Sequence, residues 1–160
     1  MPDGVVALTF VTAVACALVG GIFFAFSTFV MKALGRLPAP QGIAAMQSIN
    51  VTVINPLFLL AFVGTALACV PVAAVALASW GEPWAAYLLA AAVLYPLGSI
   101  AVTRAFHIPR NDALAGLDPE RPESGRYWSR YVESWTAINH VRTVVPLAAS
   151  ALLIGGLLAG

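Results

Sequence analysis

The chain has 160 residues, of which 61% are hydrophobic and only 9% charged, with a net charge of +1 and a mean hydropathy of +0.90. Soluble domains average roughly 45–50% apolar and about 25% charged residues, so a water-soluble fold is excluded, and a charge this near zero leaves no basic surface for nucleic acid. The length holds one domain, and because a helix needs about 20 apolar residues to cross a hydrocarbon core of roughly 30 Å, only three to five crossings fit.

A first span, from about Val5 to Met31, carries no charged residue. It is too long for the apolar part of a signal peptide and Met1-Pro2-Asp3 offers no basic flank, so it reads as retained. Ala13, Ala17, Gly21 and Ala25 recur along it every four residues, which predicts a close-packing face. Between Pro38 and Ile54 the apolar Ile43, Met46, Ile49 and Val53 recur at helical spacing. This predicts a short amphipathic helix on, or folded into, the cytoplasmic face. The second span runs from about Pro56 to Ser79, opened by Asn55 as a cap and by a proline at the first helical position. The connection Trp80-Gly81-Glu82-Pro83 is short enough to make spans 2 and 3 antiparallel neighbours, with Trp80, Trp84 and Tyr87 as interfacial anchors.

The third span runs from about Trp84 to Phe106. Pro71 and Pro96, inside spans 2 and 3, remove backbone bonds and predict kinks. Pro109 to Gly125, punctuated by Gly116, Pro119 and Pro122, reads as a loop. From Arg126 onward Trp128, Tyr131, Val132, Trp135 and Asn139 fall on one helical face, predicting an amphipathic helix that leads into the fourth span, about Val141 to Ala159. Gly156 and Gly160 repeat the small-residue spacing there. Cys16 and Cys69 read as small buried packing residues, since no framework or metal-ligand spacing accompanies them.

All eight Lys and Arg residues lie in Lys32 to Arg36 or Arg104 to Arg142. Placing both stretches in the cytoplasm puts the N- and C-termini outside and gives a multi-pass protein of the cell membrane. The predicted fold is therefore all-α: one four-helix transmembrane bundle over residues 1–160 with an amphipathic segment on the cytoplasmic side.

The polar side chains that bear chemistry collect at that end. Gln47, Asn50 and Asn55 precede span 2; Arg104, His107, Asn111 and Asp112 end span 3; Asn139, His140, Arg142 and Thr143 open span 4. Ionisable groups near membrane depth are costly and face a bundle interior or a wet cavity. The competing reading makes such residues caps and snorkelling anchors, and Asn55 fits a cap. Trp135, Asn139 and Arg142 share a helical face, whereas His140 points about 100° away from Asn139. Arg142, if buried, needs a carboxylate, a carbonyl or an anionic ligand.

Four stretches carry a more specific likeness: Gly21-Ile22-Phe23-Phe24-Ala25-Phe26-Ser27, Asn50 through Asn55-Pro56-Leu57-Phe58, His107-Ile108-Pro109-Arg110-Asn111-Asp112-Ala113-Leu114, and Trp135-Thr136-Ala137-Ile138-Asn139-His140-Val141-Arg142-Thr143. In these the chain resembles the small four-helix membrane family that contains the fungal anthrone oxygenases and many bacterial members of unknown function. The resemblance implies oxidation of a polycyclic phenolic anthrone to its quinone by dioxygen, without metal, flavin or other cofactor. Loss of the acidic ring-methylene proton gives an electron-rich anion that reduces O₂ itself, so the protein need supply a base, anion stabilisation and a dry aromatic slot. On this reading His140 is the first choice for the base and His107 the second. Asn50, Asn55, Asn111, Trp135, Asn139 and Arg142 form the substrate-binding set, with Arg142, Asn139 and Asn111 holding negative charge and Phe23, Phe24 and Phe26 lining the slot beside Trp135.

Two other classes stay open. His107 and His140 are a pair that a b-type haem would take as axial ligands. A non-enzymatic carrier or accessory subunit would show the same kinks and small-residue stripes, although the absence of charge at mid-bilayer disfavours an ion-coupled transporter. The expected partners are the lipid bilayer, a hydrophobic aromatic small molecule and a second copy of the chain in a homo-oligomer.

Overall fold

The computed structural model describes residues 1–160 and contains five helices. Four are long and apolar enough to cross a membrane: α1 (Asp3–Leu34), α3 (Pro56–Ala78), α4 (Ala85–Ala115) and α5 (Pro122–Ala159). The short α2 (Ala39–Thr52) lies between the first two. Asn55 starts α3 as its residue type predicts, accepting the Phe58 N–H at 3.0 Å on its side-chain oxygen. Many large apolar side chains are left exposed along these helices, among them Phe10, Leu18, Leu67 and Val144. Such a surface fits a lipid bilayer, and the protein is an all-α, multi-pass membrane bundle.

Each long helix packs against two others, in the ring order α1, α3, α4, α5 and back to α1. The contacts fix antiparallel registers. Ser150 Oγ donates to the Ala13 carbonyl at 2.9 Å, while Ser27 and Thr143 hydroxyls meet at 2.9 Å near the opposite end of the same helix pair. Between α4 and α5, a Cβ on Gly98 would lie 2.1 Å from Val145 and one on Gly156 2.4 Å from Leu88, so both glycines mark close approaches of the helices. The core between the helices holds Cys16 and Cys69, both free thiols, with Phe23, Phe62 and Tyr95, whose hydroxyl donates to the Phe62 carbonyl at 2.9 Å.

The packing face of α1 differs from the predicted stripe. Thr9, Thr12, Ala13, Cys16, Val19, Gly20 and Phe23 are buried, whereas Ala17 and Gly21 are exposed. Residues four apart are turned by about 40° relative to one another, so three such steps from Ala13 carry the stripe some 120° off the face. Gly20 is the close-approach position, with Leu147 2.8 Å from where its Cβ would be, and nothing lies within 4 Å at Gly21.

Two further expectations are corrected. Trp80 and Tyr87 are exposed, but Trp84 is only 3% exposed and packs inside the bundle, because the turn before it places it on the same face as Leu88. The stretch from Pro109 is helical as far as Ala115, and only the residues between Ala115 and Pro122 form a loop. Pro109 lies inside the continuous α4, two residues beyond the end of a π-helical turn, Thr103–His107. A second π-helical stretch, Pro96–Ala101, begins at the other proline of α4, and a third, Phe26–Val30, interrupts α1. The carbonyl four residues before Pro109, that of Ala105, lies within the Thr103–His107 turn, where the wider winding absorbs the clash. Pro71, by contrast, lies within an uninterrupted α3.

At the basic end a second core joins α2 to the first half of α5 and the end of α4. It contains Met31, Ile43, Met46, Leu114, Trp128, Tyr131 and Trp135. The Gln47 amide donates at 2.9 Å to the Leu114 carbonyl, which also accepts from the Leu117 N–H, and at 3.0 Å to the Leu117 carbonyl beyond the end of α4. The amphipathic patterns of α2 and of Trp128 to Asn139 therefore face each other across this layer.

Candidate functional site

One face of α5 presents Trp135, Asn139 and Arg142 to the bundle interior, and all three are buried. Asn139 joins α5 to α1: its amide donates to the Phe23 carbonyl at 2.9 Å and to Ser27 Oγ at 2.8 Å. Thr143 donates to the Asn139 carbonyl at 3.1 Å, which leaves Ser27 as the donor in its bond to Thr143. The ring of bonds fixes the orientation of the Asn139 amide, so that its oxygen accepts from Arg142 Nε at 3.1 Å.

Arg142 is 5% exposed. Its Nη1 donates to Thr103 Oγ1 on α4 at 3.1 Å, and its guanidinium carbon lies 3.9 Å from the centroid of the Phe23 ring and 5.3 Å from that of Trp135. No carboxylate pairs with it, for the ion pairs of the molecule are those of Arg121 with Asp118 and Glu123, all exposed. Neutral oxygens and two ring faces offset part of the cost of burying this charge. They do not neutralise it, and Nη2 makes no hydrogen bond within the protein.

Asn111, on the extension of α4, accepts from Tyr131 Oη at 2.8 Å and from Trp135 Nε1 at 3.1 Å on the same oxygen. Two donors on the oxygen settle which way the amide is turned. His107 is 1% exposed and meets the Trp135 ring edge-on, with centroids 4.9 Å apart, and neither ring nitrogen has a partner. The Asn50 amide nitrogen, on α2, is also buried without a partner.

Beside this network lies a cavity of about 290 Å³ between α1, α2, α3 and the inner faces of α4 and α5. Thirteen of its seventeen lining residues are hydrophobic, among them Phe23, Phe26, Phe58, Phe62 and Trp135. The polar lining is Asn50, Thr103, Asn111 and Arg142. Two of the π-helical turns contribute to this wall, through Phe26 and Thr103. Such turns re-aim side chains and recur at functional sites. A largely apolar pocket with a few convergent polar groups is the form that small-molecule sites take.

Of the residues singled out in the sequence, Asn50, Asn111, Trp135 and Arg142 line the cavity, and Asn139 stands directly behind Arg142. His107 lies behind Trp135 and does not border the cavity. Asn55 is exposed and its side chain caps α3, donating back to the Thr52 carbonyl at 3.0 Å. His140 is exposed on the opposite flank of α5, as its 100° offset from Asn139 requires, so the geometry gives it no contact with the cavity. Phe24 is 52% exposed and does not line the slot. A shared haem between His107 and His140 finds no support in this arrangement, since one ring is buried against Trp135 and the other points out of the bundle. No group of three or more His, Cys, Asp or Glu side chains is placed to hold a metal ion. Sequence reasoning missed Thr103, Ser27, Phe58 and Phe62. For Phe58 a signal existed, in its place directly after Asn55-Pro56-Leu57; Thr103 carries none, because a lone threonine at a helix end is ordinary.

Fold and site together define a four-helix membrane protein in which a mostly apolar cavity ends on a buried, uncompensated arginine. The anthrone oxygenase family profile matches residues 49–152, more than half of the chain, and the chain belongs to that family. The matched region contains Asn50, Thr103, Asn111, Trp135 and Arg142 but leaves out the α1 side of the cavity. No curated protein and no solved structure matches the chain.

Proposed function

We propose that the protein binds the anion of a polycyclic phenol of the anthrone type in this cavity and oxidises it to the quinone with dioxygen. The observation that carries this reading is Arg142, a cation held inside the bundle with no carboxylate and with Nη2 unused, on the wall of an aromatic slot. A positive charge within a few ångströms of an acidic group favours its ionised form, and far more so in a dry site than in water. Arg142 therefore lowers the pKa of the bound ligand, and as the anion settles against the guanidinium the proton leaves by the polar end of the lining, where Asn50 and Asn111 are partly exposed. The Asn50 amide, buried and lacking a partner, supplies a second donor to a ligand oxygen. Phe23, Phe26 and Trp135 flank the ring system.

The anion then passes its electrons to dioxygen. Overall the ring methylene loses two hydrogens and gains one oxygen atom, and the other oxygen atom leaves as water. In this reading neither histidine is the base: the protein acts through preorganised charge and exclusion of water. Residues 1–160 form one domain, the basic end faces the cytoplasm of a cell whose membrane holds the bundle, and the ligand is a hydrophobic aromatic small molecule.

Purified protein in lipid nanodiscs, given a dihydroxyanthrone in air, should form quinone and consume oxygen in equal amounts, at a rate well above that of empty nanodiscs. An Arg142→Met variant should lose about 10²–10³-fold of the excess rate, the usual consequence of removing one anion-stabilising donor. Binding of the phenol with no rate above the empty discs would instead make the protein a carrier.

A further inference from the structure

The exposure of the cavity lining is graded from one end to the other. Arg142 is buried, and Asn50, Thr103 and Asn111 are only partly exposed. The lining residues that are exposed are all aliphatic: Ile54 at 70%, Leu59 at 40%, Val63 at 41% and Ile108 at 47%. The exposed part of the lining thus lies just after α2, along the first turns of α3 and on the side of α4, and none of its side chains is charged or hydrogen-bonding. Val63 lies seven residues beyond Pro56, the first residue of α3, so at about 1.5 Å per residue the exposed lining reaches roughly 10 Å along that helix. That is into the hydrocarbon region when α3 spans the bilayer.

From this grading we infer that the cavity opens sideways into the membrane and takes its ligand from the lipid phase, so that the substrate class is an anthrone-type phenol bearing an aliphatic chain. The inference rests on the phenol-binding reading given above. An aqueous route would leave a charged or wet rim where the ligand sheds its hydration, whereas an apolar rim is continuous with acyl chains and presents no barrier to a molecule already dissolved among them. Size points the same way. At about 290 Å³ the cavity stands at the lower limit of small-molecule sites, roughly 300–1,000 Å³, and holds a ring system but not a chain attached to it. With the phenolic oxygen turned to Arg142, the remainder of such a ligand projects between Ile54 and Val63 into lipid.

The test uses the full chain in lipid nanodiscs and two probes: a free dihydroxyanthrone, and the same ring joined by a short linker to the acyl chain of a phospholipid, which cannot leave the bilayer. The anchored ring should bind, displace the free ring, and do both about 10- to 150-fold more weakly in Arg142→Met. Ile54→Trp, which narrows the opening without touching Arg142, should slow association of the anchored ring about tenfold. Binding of the free ring without competition by the anchored one, or an unchanged association rate in Ile54→Trp, would overturn the sideways opening while leaving the phenol site in place. Failure of both rings to bind would overturn the phenol-binding reading itself, and this inference with it.

Discussion

Replacing Arg142 with methionine is expected to weaken binding of a dihydroxyanthrone about 10- to 150-fold, the equivalent of one charge-assisted hydrogen bond of roughly 1.5–3 kcal/mol, while shifting thermal unfolding by only a few degrees. The two effects separate because the contributions of the guanidinium to stability oppose one another. Its bonds to Asn139 and Thr103 and its contact with the Phe23 ring favour the fold. Burying a charge with no carboxylate works against it. Methionine keeps much of the volume and removes the charge, at the expense of leaving the Asn139 and Thr103 oxygens short of a donor. A residue retained only for stability would show the reverse pattern, with a large drop in unfolding temperature and unchanged affinity. Arg126→Ala, at an exposed position in the first half of α5, serves as the control and should alter neither. Both quantities are measured on one preparation, by ligand titration and by thermal unfolding in detergent.

The largest loss of stability is expected from a single methyl group, in Gly98→Ala. Its Cβ would lie 2.1 Å from Val145 Cγ1 and 2.5 Å from Val145 Cβ, and the second of these atoms is rigidly fixed to the α5 backbone. Relief requires α4 and α5 to move apart along the pair that also carries Thr103 and Arg142. Overpacking in well-packed interiors costs about 1–3 kcal/mol and at times more. In a membrane bundle held by close helix approach, Gly98→Ala should therefore lower the unfolding temperature markedly and loosen the Thr103–Arg142 bond with it. Gly21→Leu, a far bulkier change at a position with nothing within 4 Å, should leave the unfolding temperature unaltered. A stable Gly98→Ala variant, or a Gly21→Leu variant that fails to assemble, would show that the helices pack through other faces.

Much of the architecture was legible because it depends on averages over many residues. Hydropathy marks four spans, and the spacing of Ile43, Met46 and Ile49 or of Trp128, Tyr131 and Trp135 marks amphipathic faces, since an apolar period survives any one exception. What depends on a single residue and its distant partner was not legible. Gly20 and Gly21 are neighbours of the same type, turned about 100° apart, and only the position of Leu147 decides which one packs. Trp84 sits where an interfacial anchor is expected, yet the phase of α4 turns it inward with Leu88. Pro109 looks like a helix breaker in sequence and is accommodated by a π-helical turn that no local pattern announces.

The site was legible to the same degree and for the same reason. The helical period placed Trp135, Asn139 and Arg142 on one face and His140 off it, and the structure has them so. His140 drew attention through its chemistry and its place within a family-like stretch, but chemistry without the right face does not reach a pocket. The α1 and α3 walls, Phe23, Phe26, Phe58 and Phe62, meet the α5 face only through the ring order of the bundle. That order is a tertiary property, written in no one segment.

The central claim is that an uncompensated arginine makes this cavity a site for a phenolic anion. The absorption spectrum of a dihydroxyanthrone bound to the protein without oxygen, at a pH at which the free phenol is neutral, tests it most directly. The arginine reading predicts the red-shifted spectrum of the anion, saturating at one ligand per chain and lost in Arg142→Met. A bound ligand with the spectrum of the neutral phenol, identical in wild type and Arg142→Met, would contradict it.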